Sequence, residues 1–111
     1  MKANDAVAAL AALAQESRLA VFRLLVQRGP SGLAAGEIGG RLGLPPATLS
    51  FHLAQLSHAG LVTSRREGRS ILYAASYGGM EALMAYLMKN CCQGLCAPAA
   101  PRKREPRRRR S

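Results

Sequence analysis

The sequence predicts a mainly α-helical domain carrying one β-hairpin. Three observations predict it. Apolar residues recur at three- and four-residue spacing through most of the first 60 positions. The same spacing returns over residues 77–90. Between them, residues 61–76 read as strand, turn, strand. The 111 residues suit one domain with a modest core, which pairing into a dimer would help.

The first helix is Ala/Leu-rich, and Val7, Leu10 and Leu13 are spaced for one face, a core or dimer face. The second runs from Glu16 to Arg28, with Leu19, Phe22 and Val26 on one stripe and Leu25 beside them. Gly29-Pro30-Ser31-Gly32 ends it. A third helix is expected over residues 33–42, with Ile38 and Leu42 inward. Gly43-Leu44-Pro45 is then a short turn into a fourth helix.

That fourth helix is the stretch the rest serves. Leu49, Leu53 and Leu56 lie at i, i+4 and i+7 and form one buried stripe. Pro46 suits the first turn, and Gly60 suits a left-handed end. The opposite face carries Phe51, Gln55 and His58, flanked by Thr48 and Ser50. A face meant only for water would hold Lys and Glu. A small, polar, nearly uncharged face suits base edges, with an apolar group for a thymine methyl. Two helices joined by a short turn, the second with such a face, match a helix-turn-helix. Thr48, Ser50, Phe51 and Gln55 are the base-reading candidates. His52 turns toward the leucines; it is a weaker DNA contact candidate and a stronger packing one.

After Gly60 come the strands Leu61–Arg66 and Ser70–Ser76, joined by Glu67-Gly68-Arg69. A hairpin directly after a recognition helix is a wing, which makes the fold a winged helix-turn-helix. Arg65, Arg66 and Arg69 cluster at its tip and are expected on phosphates or in the minor groove. A last helix is expected from Tyr77 to Asn90. Its apolar stripe of Met80, Leu83, Met84, Leu87 and Met88 is too broad for water and suits a homodimer interface.

The formal charge of +10 divides unevenly. Residues 102–111 hold seven basic groups and one acidic group, or +6; the other 101 residues hold nine and five, or +4. The body is mildly basic, which suits nucleic acid without establishing it. The Ala/Pro and Arg-rich tail over residues 97–111 is expected to be disordered and to add non-specific phosphate contacts or only solubility. No stretch approaches the roughly 18–20 apolar residues of a membrane span. Residues 6–14 have the length of a signal-peptide core, but Asp5 interrupts the basic start, and the segment flows into an amphipathic helix. The cytoplasm, where thiols stay reduced, is the expected location.

The order of elements and their residues resemble the ArsR/SmtB family of winged-helix repressors over residues 5–92. The resemblance rests on Ser17-Arg18-Leu19-Ala20-Val21-Phe22-Arg23-Leu24-Leu25, on Ser50-Phe51-His52-Leu53 with Gly60-Leu61-Val62 downstream, and on Arg66-Glu67-Gly68-Arg69. It implies a homodimer that binds a palindromic operator in double-stranded DNA and lets go when a metal or metalloid binds. The chain also departs from the family. Many members carry a Cys-Val-Cys type pair at the start of the third helix, where this chain has Leu33-Ala34-Ala35-Gly36. Others carry Asp and His zinc ligands along the last helix, and residues 77–90 hold neither. Many have a polar residue or His where Phe51 stands.

All three cysteines lie in Cys91-Cys92-Gln93-Gly94-Leu95-Cys96. If the last helix continued, Cys92 and Cys96 would share a face, with Cys91 turned about 100° away. Gly94 would let the turn unwind so that the three sulfurs converge. The bland alternative is buried cysteines acting as small hydrophobes. Three thiolates without a nearby His or carboxylate select a soft acceptor. Zinc would want a fourth ligand. Trivalent arsenic or antimony takes three sulfurs and keeps a lone pair. The resemblance adds that members with a Cys-Cys pair and a third Cys near the C-terminus respond to arsenite. Arsenite or antimonite is therefore the expected inducer, held by Cys91, Cys92 and Cys96 of one protomer. Lys89 beside the pair favours thiolate.

Three rival readings stay open at the level of sequence. One keeps the fold and has the thiols sense oxidants by forming disulfides. A second has the basic tail drive architectural, sequence-indifferent DNA binding. A thiol enzyme is a poor fit: the only histidines, His52 and His58, both sit on the recognition helix, and no Cys–His pair is evident.

Overall fold

The computed structural model describes residues 1–94. Cys96 and the Arg-rich tail over 97–111 lie outside the described residues. The elements run α1 (Ala3–Leu13), α2 (Glu16–Arg28), β1 (Leu33–Ala34), α3 (Ala35–Leu42), α4 (Pro46–His58), β2 (Val62–Glu67), β3 (Ser70–Ala75), α5 (Tyr77–Met88) and a 3-10 turn, Cys91–Gly94. The strands form one antiparallel sheet in the order β1-β3-β2. This is the winged helix-turn-helix expected from the sequence.

The leucine stripe of α4 supplies much of the core. Leu49, Leu53 and Leu56 are buried against Val21, Phe22 and Leu25 of α2, with Leu33, Ile38 and Leu61 around them. Each large aliphatic side chain so buried contributes roughly 1.5–3 kcal/mol relative to exposure. Pro46 opens α4, where its missing N–H is no loss, and Pro45 accepts from Leu49 N at 2.9 Å. Gly60 closes it at φ +80°. Gly60 N donates to Ser57 O and Leu61 N to Leu56 O, each at 3.0 Å. That pattern is a Schellman motif, and the buried Leu56 and Leu61 make its apolar contact.

The structure corrects several expectations. The third helix starts at Ala35, not Leu33. Leu33 and Ala34 are a two-residue strand paired with Tyr73 and Leu72, and the pairing satisfies a backbone that would otherwise open a helix. In α2, Val21 replaces Leu19 and Val26 on the inward stripe, and those two stay partly exposed. In α1, Ala6, Ala9 and Ala12 face inward, while Val7 and Leu10 are 64% and 44% exposed. The small side chains let α1 settle close against α2, α4 and α5.

The last helix ends at Met88, not Asn90. Lys89 leaves the helix with extended backbone, and Asn90 follows at φ +60°, a left-handed conformation Asn tolerates through its short polar side chain. Cys91 and Cys92 therefore stand on a separate 3-10 turn. The helical face proposed for Cys92 and Cys96 does not exist for Cys92. Within α5, Leu83 is buried, while Met84, Leu87 and Met88 are 53%, 52% and 40% exposed. Among the described residues, no helix is long and apolar enough to cross a membrane.

Candidate nucleic-acid interface

The outer face of α4 is set by its inner one. Because Leu49, Leu53 and Leu56 hold the helix on the core, Thr48, Ser50, Phe51 and Gln55 are left in solvent. Phe51 is 57% exposed, a high figure for an aromatic ring on a helix that has a core to bury it in. No described residue of this face carries a full charge, so nothing on it would repel or clamp a phosphate; it can approach base edges.

His52 points inward. It is buried, and Arg18 Nη1 lies 3.3 Å from its Nδ1. A guanidinium can only donate, so Nδ1 accepts and the ring proton sits on Nε2. Burial, and then the Arg18 charge, push the imidazole below its usual pKa of 6.5. The structure thus places His52 among the packing groups beneath α4, with Arg18 as its partner. Arg18 does more than the sequence alone disclosed. Its Nε donates to Ala12 O at 2.8 Å, and its guanidinium carbon sits 6.0 Å from the Phe51 ring centroid. Gln15 caps α2 by accepting from Arg18 N at 2.7 Å.

The wing arginines divide into two kinds. Arg65 is engaged by the protein: Nη1 donates to Pro30 O at 3.0 Å and Nη2 to Ser31 O at 2.8 Å. Its Nε pairs with Glu67 Oε2 at 3.0 Å. Arg66 and Arg69 are exposed and make no hydrogen bond or ion pair among the described residues. Charge clustering put all three on DNA; the structure ties Arg65 into the protein and leaves Arg66 and Arg69 without a partner among the described residues.

Of the three cysteines, the structure describes two. Cys91 is half-buried, Cys92 is exposed, and both are free thiols with sulfurs 3.4 Å apart. Cys92 has φ +54°, a left-handed backbone conformation uncommon outside glycine. Two adjacent sulfurs at contact distance suit a shared soft acceptor. Among the described residues, no group of three His, Cys, Asp or Glu converges.

A helix-turn-helix domain model matches residues 13–65, from the end of α1 through most of β2. The transcriptional activator HlyU of Vibrio cholerae is 36% identical over 88 residues, 79% of each chain. The putative arsenical resistance operon repressor ArsR of Halobacterium salinarum is 35% identical over 79 residues, 71% of this chain and 60% of its own. Among solved structures, an ArsR-like transcriptional regulator from Rhodococcus aligns with a TM-score of 0.72 at 26% identity, over 81% of this chain and 82% of that one. The homodimeric winged helix-turn-helix domain of a possible ArsR-family regulator from Mycobacterium bovis aligns with a TM-score of 0.64 at 30% identity, over 77% and 76%. With an exposed, uncharged α4 face, an Arg-bearing wing and relatives that are transcriptional regulators, the chain belongs to the ArsR/SmtB family of winged helix-turn-helix regulators.

Proposed function

We propose that this protein is a homodimeric repressor that leaves its palindromic operator when trivalent arsenic, or antimony, binds Cys91, Cys92 and Cys96. The observation that carries the DNA half is the α4 face, where Thr48, Ser50, Phe51 and Gln55 stand exposed, on a chain whose wing also exposes Arg66 and Arg69. The dimer is supported by the exposed Val7, Leu10, Met84, Leu87 and Met88 on α1 and α5, and by the homodimeric M. bovis domain. In such a dimer the two recognition helices sit about one DNA turn apart, roughly 34–36 Å.

The inducer half is supported by the Cys91–Cys92 sulfur contact and by the similarity to the Halobacterium protein, a putative arsenical resistance operon repressor. Cys96 supplies the third sulfur. Because the thiols follow α5 by two residues, drawing them onto one centre tugs the end of the helix that carries Leu87 and Met88. A shift in that interface changes the spacing of the recognition helices. A hundredfold loss of operator affinity needs only about 2.7 kcal/mol of coupling. The setting is the cytoplasm, where the thiols stay reduced.

The sulfur contact equally favours one second reading, an oxidant-sensing pair that closes into a disulfide. Both are tested by anisotropy on labelled duplex from upstream of the protein's own gene. Arsenite under reducing conditions should release the wild type and leave the Cys91/Cys92/Cys96→Ser variant bound. Release by peroxide alone, with arsenite inert, would move the assignment to redox sensing. Binding that ignores sequence and vanishes without residues 102–111 would mark an architectural protein instead.

A further inference from the structure

The wing is poorly supported beyond its base. β1 reaches only Tyr73 and Leu72 of β3, so Arg65, which pairs with Leu72, stands in the last row that has three strands. From Arg66 to Ile71 the hairpin is a two-stranded ribbon. Such ribbons are marginal in water on their own. Arg65 is also the one wing arginine whose guanidinium is spread over three partners: the carbonyls of Pro30 and Ser31 and the carboxylate of Glu67. The receiving loop is itself held, since Arg28 Nε donates to Gly32 O at 3.0 Å.

From this geometry we infer that Arg65 is the positioning residue of the wing. It ties the hairpin to the loop between α2 and β1, and so delivers Arg66 and Arg69 to DNA at a fixed height beside α4. Glu67 cancels its charge, so Arg65 adds little to the field that DNA meets. The inference rests on the DNA-binding reading above and assigns work within it. A planar fork can satisfy two carbonyls and a carboxylate at once, whereas a lysine ammonium is a point charge on a flexible stem. Lysine is therefore the informative substitution, because it keeps charge and loses the clamp.

The experiment has two arms on the full chain. In the free protein, amide exchange of wild type and Arg65→Lys is compared. Faster exchange over residues 30–33 and 63–72, with the helices unchanged, is expected; an unchanged wing overturns the proposal. In the second arm, anisotropy on duplex from upstream of the protein's own gene is read for Arg65→Lys, Arg65→Ala and Arg66→Ala/Arg69→Ala. Both Arg65 variants should weaken binding to the same extent, about fivefold. Neither should weaken it further in the Arg66→Ala/Arg69→Ala background, because Arg65 acts through those two residues. Wild-type binding by Arg65→Lys, or an additive loss in that background, identifies a direct phosphate contact and overturns the proposal. A wild type that ignores the duplex defeats the DNA-binding reading and the positioning role with it. The exchange arm then still distinguishes that failure from a hairpin that was never clamped.

Discussion

Arg18 Nη1 lies 3.3 Å from Nδ1 of His52, beneath the recognition helix. The same guanidinium holds Ala12 O at the end of α1. One side chain therefore spans the helix with an exposed apolar face and the helix whose outer face is proposed to read DNA. Arg18→Ala orphans the Ala12 carbonyl and the His52 ring nitrogen together. We expect a loss of about 1–3 kcal/mol in chemical denaturation. Wild-type stability for this variant would show that the contacts carry no weight.

The same pair makes stability depend on pH. In the fold, burial and then Arg18 keep His52 neutral below the 6.5 at which the unfolded chain takes up its proton. The unfolded state thus binds more protons as pH falls, and stability rises with pH through that window. The contribution is whole above pH 6.5 and is lost progressively below it. Urea titrations at about pH 7.5 and about pH 5.5 should show a larger drop for wild type than for His52→Gln. Equal drops would remove His52 as the cause.

Two neighbouring glycines in the first turn of α5 should respond in opposite directions. A Cβ on Gly79 would overlap the Gly60 carbonyl oxygen, which is backbone and cannot swing away. A Cβ on Gly78 meets nothing within 4 Å. Gly79→Ala should cost about 1–3 kcal/mol through overpacking. Gly78→Ala should gain up to about 1 kcal/mol from helix propensity. Thermal melts of both variants decide it; a harmless Gly79→Ala would mean that α5 does not sit this close to the end of α4.

A charge on the proposed dimer face should separate the protomers without unfolding them. Leu10 is 44% exposed and Leu87 52%, so neither is needed to fill the core. Leu10→Glu or Leu87→Glu should sediment as a monomer with an unchanged far-UV circular dichroism spectrum. Operator affinity should fall at least a hundredfold, since one half-site then binds alone. A dimeric Leu87→Glu would place the interface elsewhere.

The fold was legible wherever one face of an element is apolar and the other is not. Leu49, Leu53 and Leu56 announce α4, and the change of period after Gly60 announces the wing. The α1 face was not legible, because both sides of an Ala/Leu helix are apolar and periodicity cannot choose between Ala9 and Leu10. Leu33 and Ala34 escaped as a strand because two residues carry no period. Arg65 looked like its neighbours because its partners are backbone carbonyls, which every residue has. The outward α4 face was readable from residue type; Arg18 as the partner of His52 was not, since 34 positions of sequence separate them.

The inversion in α1, with alanines inside and larger aliphatics outside, also bears on the thermodynamics of the proposed dimer. A lone protomer keeps its small contacts and leaves its larger ones in water. Part of the free energy of folding is then collected only on meeting a second copy, so dilution weakens the fold itself. The melting temperature should climb with protein concentration. A cell holding few copies would carry a pool of less stable single chains, open to proteolysis, so that the amount of the protein helps set its own lifetime.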